Sequence, residues 1–224
     1  MELLIKIAGK EIIIPDTIFN MWVITIVLII FASIVNSKIK MAKSDEVPSN
    51  FLNVIETLVD AIDGLVRTTM GPQNVAKFGP YIFTLAIFLA VANLSGLLGI
   101  SPPTSDYSVT LSLALITFVL TQYWGFKNSG GLGGYLKGFT EPMVLLTPLN
   151  VIGEIANPIS LSFRLFGNIM SGGIIMSLLY GALGIIAPIV AAPLHAYFDV
   201  FSGLLQTFIF LMLSMIFVGG LAEE

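Results

Sequence analysis

The chain has no cysteine, which excludes a disulfide framework and any thiol chemistry. Charge is nearly as scarce. Charged residues make up 11% of 224, where a soluble domain carries about 25%. The net charge of −4 is scattered over a few loops and leaves no electrostatic footprint for nucleic acid. No internal repeat is present, which argues against many transporter folds. What fills the chain is hydrocarbon: 56% of the residues are hydrophobic and the mean hydropathy is +0.94. Several windows exceed the ~20 apolar residues needed to cross a bilayer, so the fold class is an all-α polytopic membrane protein. We read residues 1–224 as a single membrane domain with no soluble domain appended.

Residues 1–15 form a short mixed segment ending at Pro15. A first helix is expected over Thr17–Ser37. Its apolar stretch lacks a basic leader and a small-residue cleavage site and reads as a retained anchor. Lys38, Lys40 and Lys43 follow it, and the positive-inside rule puts them in the cytoplasm and the N-terminus outside. A second helix, Ser49–Met70, is amphipathic. Phe51, Val54, Ile55, Leu58, Val59, Ile62, Leu65 and Val66 recur at helical spacing, with Glu56, Asp60, Asp63 and Arg67 on the other side. Such a helix lies in the membrane plane or packs on a partner. Two crossing helices follow, over Val75–Leu98 and Val109–Gly125. The connector between them has no basic residue, whereas the next loop, glycine-rich, carries Lys127 and Lys137 and suits the cytoplasm. Two long apolar segments remain, Glu141–Leu183 and Ala187–Leu221. At 1.5 Å per residue each is much longer than the ~30 Å hydrocarbon core, which forces tilt or bending. Pro148 and Pro158 offer places to bend, and a turn near Gly184–Pro188 makes the pair a hairpin. Five passages bring the C-terminal Ala222-Glu223-Glu224 inside.

Both long segments carry polar stripes. Asn150, Glu154, Asn157, Ser160, Arg164, Asn168 and Ser171 follow one another at steps of three or four, which holds them on one helical face. His195, Asp199, Ser202 and Gln206 do the same. With the hairpin turn near residue 186, Arg164 and Gln206 fall at similar depth, and so do Gly173 and Asp199, so the Gln206 amide is a candidate hydrogen-bond partner of Arg164. A guanidinium inside a membrane helix costs at least ~2.5 kcal/mol, and folding does not require that cost. An ion pair of Arg164 with Asp199 or Glu154 would be the structural explanation, and a salt bridge in lipid is a poor stabiliser. The serines have a bland reading too, as glue between helices.

The runs Pro158-Ile-Ser-Leu-Ser-Phe-Arg164-Leu-Phe-Gly-Asn168 and Leu205-Gln206-Thr-Phe-Ile-Phe210, together with Ser171-Gly172, resemble subunit a of the bacterial F-type ATP synthase. The resemblance covers the whole membrane layout. It implies an ion-translocating stator in a cell membrane, facing a ring of c subunits and attached to peripheral-stalk b subunits. It further implies two offset aqueous half-channels that couple H+ or Na+ flow to ring rotation. Arg164 would face the ring's carboxylates and block a direct leak. Asp199, His195, Ser202 and Gln206 would serve the outer path, and Glu154, Asn157 and Asn150 the inner path. Asn168, Ser160 and Ser171 would complete the polar stripe. The family often has Glu where this chain has Gly173 and His where it has Asp199, so the acidic group has moved across the hairpin. No tightly bound cofactor is expected, only the transported ion. Without a phosphate-binding loop, the chain is a non-catalytic subunit. A stand-alone ion transporter or channel, with Arg164 binding an anion, is the alternative, and a purely structural scaffold a third reading.

Overall fold

In the computed structural model, residues 3–7, 10–42, 49–140 and 143–220 are described. Lys43, Glu141, Leu221 and the terminal Ala222-Glu223-Glu224, which entered the expectations above, lie outside them. Apart from a two-stranded hairpin, the described chain is helical, and five helices are long and apolar enough to cross a membrane. The hairpin accounts for the short N-terminal segment: β1 (Leu3–Ile7) pairs antiparallel with β2 (Lys10–Ile14), Ile5 opposite Ile12.

Pro15 then caps α1 (Asp16–Met41), which continues one turn past Ser37 through Lys38 and Lys40. The last turn is stabilised by those lysines against the helix dipole, and the Lys38 ammonium sits 4.6 Å from the Phe51 ring centre. Only Val35 of α1 is buried. The helix is pinned instead at its start, where Thr17 donates to Asp106 (3.0 Å), Asn20 to the Ser101 carbonyl (3.0 Å) and Ser101 to Asp16 (2.9 Å).

The amphipathic α2 (Asn50–Met70) opens on Ser49, whose hydroxyl accepts from the Leu52 N–H. Its C-terminal half packs inside the molecule. Val66 and Met70 are fully buried with Ile62 and Leu65 beside them, while Val54 and Leu58 stay exposed. Met70 packs closely on Gly219, where an added Cβ would lie 3.2 Å from the Met70 side chain.

Next come α3 (Val75–Leu94), flanked by 3-10 turns at Pro72–Asn74 and Ser95–Leu98, and α4 (Tyr107–Asn128). The latter begins two residues before expected because the Asp106 carboxylate accepts from the Ser108 N–H at 2.9 Å. The glycine-rich loop is not wholly irregular: it holds a short helix, α5 (Leu132–Gly138).

α6 (Thr147–Leu183) starts later than residue 141, after an extended Met143 and a 3-10 turn. Pro148 is therefore no bend but an initiator, since its missing N–H is one that a first turn leaves unpaired anyway. At 37 residues the helix is ~55 Å long. Gly184, at φ +48°, reverses the chain in a conformation that glycine adopts at no steric cost.

The returning segment is broken in character: α7 (Ala187–His195), a π-helical stretch Ala196–Ser202, then α8 (Gly203–Gly220). The core joins Leu89 and Ile82 of α3, Ala114 of α4, Leu165 of α6 and Phe210 and Met215 of α8. Polar ties run through it. The Tyr81 hydroxyl meets Thr117 at 2.8 Å. Buried Asn93 donates to the Gly203 carbonyl (3.0 Å) and Thr207 (2.9 Å) and accepts from Thr104 (2.7 Å). Asn93→Ala removes three buried hydrogen bonds and leaves the Thr104 hydroxyl without its acceptor, while Thr207 and the Gly203 carbonyl keep one another; it is expected to cost about 2–3 kcal/mol. Heating the intact assembly checks this: the variant chain is expected to be lost ~5 °C below the parent.

Candidate functional site

The site is built on the antiparallel pair of α6 and the α7–α8 segment. Side-chain contacts fix their register. Asn168 donates to the Ser202 hydroxyl at 2.6 Å, and a Cβ on Gly172 would lie 3.3 Å from Phe198. Continuing that register by one helical turn puts Gln206 level with Arg164. The two do not hydrogen-bond, however, and this departs from the expectation. Arg164 is exposed on α6, one residue around the helix from fully buried Leu165, so its guanidinium projects off the side of the bundle.

Among the described residues Arg164 has no hydrogen-bond or ion-pair partner. The two carboxylates that might have held it are committed elsewhere. Asp199 meets His195 Nδ1 at 2.5 Å, and His195 Nε2 meets the Tyr180 hydroxyl at 2.9 Å. Glu154 accepts from the Gln122 amide at 3.0 Å. The internal ion pair is thus excluded in this arrangement.

Two cavities flank the arginine along α6. On the hairpin-turn side lies a cavity of about 510 Å³, lined by Asn168, Gly173, His195, Asp199, Asn93 and the 99–105 connector. Gly173 has nothing within 4 Å of where its Cβ would be, so its open space and the Asp199 carboxylate share that cavity. Toward the other end, Glu154 and Asn157 line a small cavity with Thr117 and Thr121. Its volume is about 10 Å³, roughly one water. By helix rise, Glu154 lies ~15 Å from Arg164 along α6.

The remaining stripe residues separate. Asn150 donates to the Phe139 carbonyl at 2.8 Å and ties the helix start to the preceding loop. Ser160 is exposed, and Ser171 donates back to the Asn168 carbonyl of its own helix.

Three participants escaped the sequence reading. Gln122 and Tyr135 complete a chain, Tyr135 hydroxyl to Gln122 to Glu154. Burial, and after it the Glu154 charge, push the Tyr135 hydroxyl above its ordinary range, so it stays a donor at any physiological pH. Tyr180 buttresses His195. An amide within the apolar stretch of α4 was the available signal for Gln122. The π-helical stretch is the fourth surprise. It carries Asp199 and Ser202, and such wide turns gather at functional positions.

A family model described as ATP synthase A chain matches residues 18–219. The chain is 38% identical over 78% of its length to a Propionigenium modestum protein named ATP synthase subunit a, sodium ion specific, and spans 64% of that protein. It is 37% identical to an ATP synthase subunit a 2 of Bradyrhizobium sp., with 88% of this chain and 84% of the relative covered. A Limosilactobacillus reuteri ATP synthase subunit a is 34% identical, with 92% and 94% covered.

Proposed function

Since this chain belongs to the ATP synthase A chain family, we propose that it is the ion-conducting stator of a rotary ATP synthase, with Arg164 as the fixed cation at the moving interface. The observation that carries this reading is an unpartnered, exposed Arg164 between two carboxylate-bearing cavities on a membrane-length helix. Facing lipid, that guanidinium is costly. Facing a ring of carboxylate-bearing subunits, it has its counter-ion supplied from outside.

The mechanism follows from electrostatics. A ring carboxylate in lipid must be neutral, carrying a proton or a bound cation, because an unpaired charge is prohibitive there. On reaching Arg164 the carboxylate ionises and gives up its ion. Arginine cannot be deprotonated in a protein, so it passes nothing on and separates the two cavities. Asp199, with His195 and Ser202, serves the outer path, and Gln206 stands at the level of the arginine. Glu154 and Asn157 serve the inner path, with Asn150 holding the helix start. Asn168, Ser160 and Ser171 supply the rest of the polar face. The lysine-bearing ends at Lys38, Lys40, Lys127 and Lys137 lie in the cytoplasm and the N-terminus outside, in a bacterial cell membrane. The c-ring and peripheral-stalk b subunits are its partners. Catalysis of ATP synthesis resides in other subunits.

The His195–Asp199 pair suits a proton path, since both groups exchange protons. The relative named as sodium ion specific favours Na+ as the second reading. ATP-driven 22Na+ uptake into liposomes holding the purified whole complex distinguishes them. Uptake that persists with a protonophore establishes sodium. Acidification that the protonophore abolishes, with no sodium uptake, establishes protons. A complete complex that hydrolyses ATP and moves neither ion overturns the stator reading.

A further inference from the structure

Away from the α6–α8 pair, α1 leans on the bundle near its ends and leaves an apolar cleft at mid-height. Leu28 and Ala32 of α1, Tyr81 and Phe88 of α3, and Leu113 and Ile116 of α4 line it, around about 340 Å³. The polar side chains on its wall are all satisfied within the protein. Tyr81 pairs with Thr117, Thr84 donates to the Pro80 carbonyl and Thr25 to the Met21 carbonyl. The cleft asks its occupant for no hydrogen bond, so the occupant is aliphatic.

Both walls lead to the same charged end. On α3, Lys77, Tyr81, Thr84 and Phe88 succeed one another at steps of three and four. On α4, Leu113, Ile116, Leu120, Trp124 and Lys127 do the same, so each row keeps to one helical face. The Lys77 and Lys127 ammonium groups both sit on the Trp124 indole, 5.1 and 4.6 Å from its ring centre. Two cations share one ring, and among the described residues neither has a carboxylate partner. The two exposed ammonium groups thus lie within about 10 Å of each other, close enough for one anion to meet both, and tryptophan favours the headgroup level of a membrane.

We propose that this cleft is a binding site for one anionic phospholipid, its phosphate between Lys77 and Lys127 and an acyl chain between α1 and the α3–α4 pair. The lipid fills the gap that side chains leave and ties α1, which buries only Val35 on its own account, to the rest of the fold. A transmembrane helix of another subunit could cover an apolar cleft too, but would leave the two lysines without a counter-ion.

The test uses the whole complex in phosphatidylcholine liposomes doped with phosphatidylglycerol bearing a photoreactive group mid-chain. Phosphatidylcholine with the same group is the comparison, and adducts are mapped by mass spectrometry. Adducts on the cleft-lining segments of α1, α3 and α4 are expected to favour phosphatidylglycerol by about tenfold, a ratio in keeping with two lysines at a membrane surface. Lys77→Gln with Lys127→Gln is expected to bring labelling down to the phosphatidylcholine level, and Lys77→Arg with Lys127→Arg to keep it. Equal labelling by the two lipids overturns the proposal, as does labelling indifferent to the glutamine pair. Absence of cleft adducts overturns it as well, and means a subunit helix fills the space. Should the glutamine pair fail to assemble, Ala32→Phe narrows the cleft with both lysines in place. The same loss of phosphatidylglycerol adducts there supports the site, and undiminished labelling overturns it.

Discussion

Arg164→Ala is expected to leave a fully assembled complex that makes no measurable ATP from an imposed ion gradient. Assembly survives because the side chain is exposed and holds nothing inside the chain. Its removal opens no cavity and strands no partner. On the proposed mechanism, function fails because the ring carboxylate sheds its ion at this level, and without a fixed cation the ionised form is an unpaired charge at an apolar interface. Removing one partner of a buried ion pair costs about 3–5 kcal/mol, and each 1.36 kcal/mol is tenfold in rate. Synthesis should therefore fall by roughly two to four orders of magnitude, below detection. A passive leak is expected to appear as well, since the barrier between the two cavities is gone. Arg164→Lys separates charge from permanence. A desolvated lysine titrates readily, so it should restore part of the activity and little of the barrier. ATP synthesis and gradient decay in the same proteoliposomes measure both. Undiminished synthesis in an assembled Ala variant would leave only the scaffold reading.

That the arginine needs an explanation was legible from cost alone: a cation in a continuous apolar run is expensive. The spacing of the polar residues also gave the hairpin register nearly correctly, because straight helices turn counting into depth. Asn168 meeting Ser202 is one turn from the level inferred for Arg164 and Gln206. What counting could not reveal is direction around the helix axis. Gln206 is level with Arg164 yet makes no bond to it, because the guanidinium leaves the bundle. The π-helical stretch Ala196–Ser202 was illegible for a related reason. It reads as the same three-and-four spacing in sequence, and only the hydrogen-bond pattern reveals the wider turns. Helix starts were misplaced where capping decided them, as at Asp106 and Pro148. The Gln122–Glu154 pair joins α4 to α6 across 32 positions, a separation that local pattern does not reach.

The second large effect concerns Asp199, the acid in the cavity on the hairpin-turn side of Arg164. Asp199→Asn keeps the shape of the side chain but removes its charge and its capacity to exchange or ligate an ion. A positioned acid–base group contributes about 10²–10⁴-fold to a proton transfer, and water in a cavity of about 510 Å³ substitutes for part of that. ATP-driven ion uptake is accordingly expected to drop by roughly tenfold to a hundredfold. Hydrolysis without a gradient falls alongside it, because the ring cannot turn without exchanging ions. The proposed path requires an acid in this cavity, though not on this helix. Gly173 opens on the same cavity from α6, with nothing within 4 Å of its missing Cβ. Gly173→Glu introduced into the Asp199→Asn chain is therefore expected to bring uptake back to within a fewfold of the parent. His195 is the control on interpretation. Its Tyr180 contact uses Nε2 and does not involve Asp199, so it is expected to survive the substitution, and a rescue credits the carboxylate and not a rebuilt His195. Failure of the double variant, in a complex of normal composition, would mean that Asp199 acts through its bond to His195 rather than as the cavity's acid. The outer path would then have to be redrawn around the imidazole.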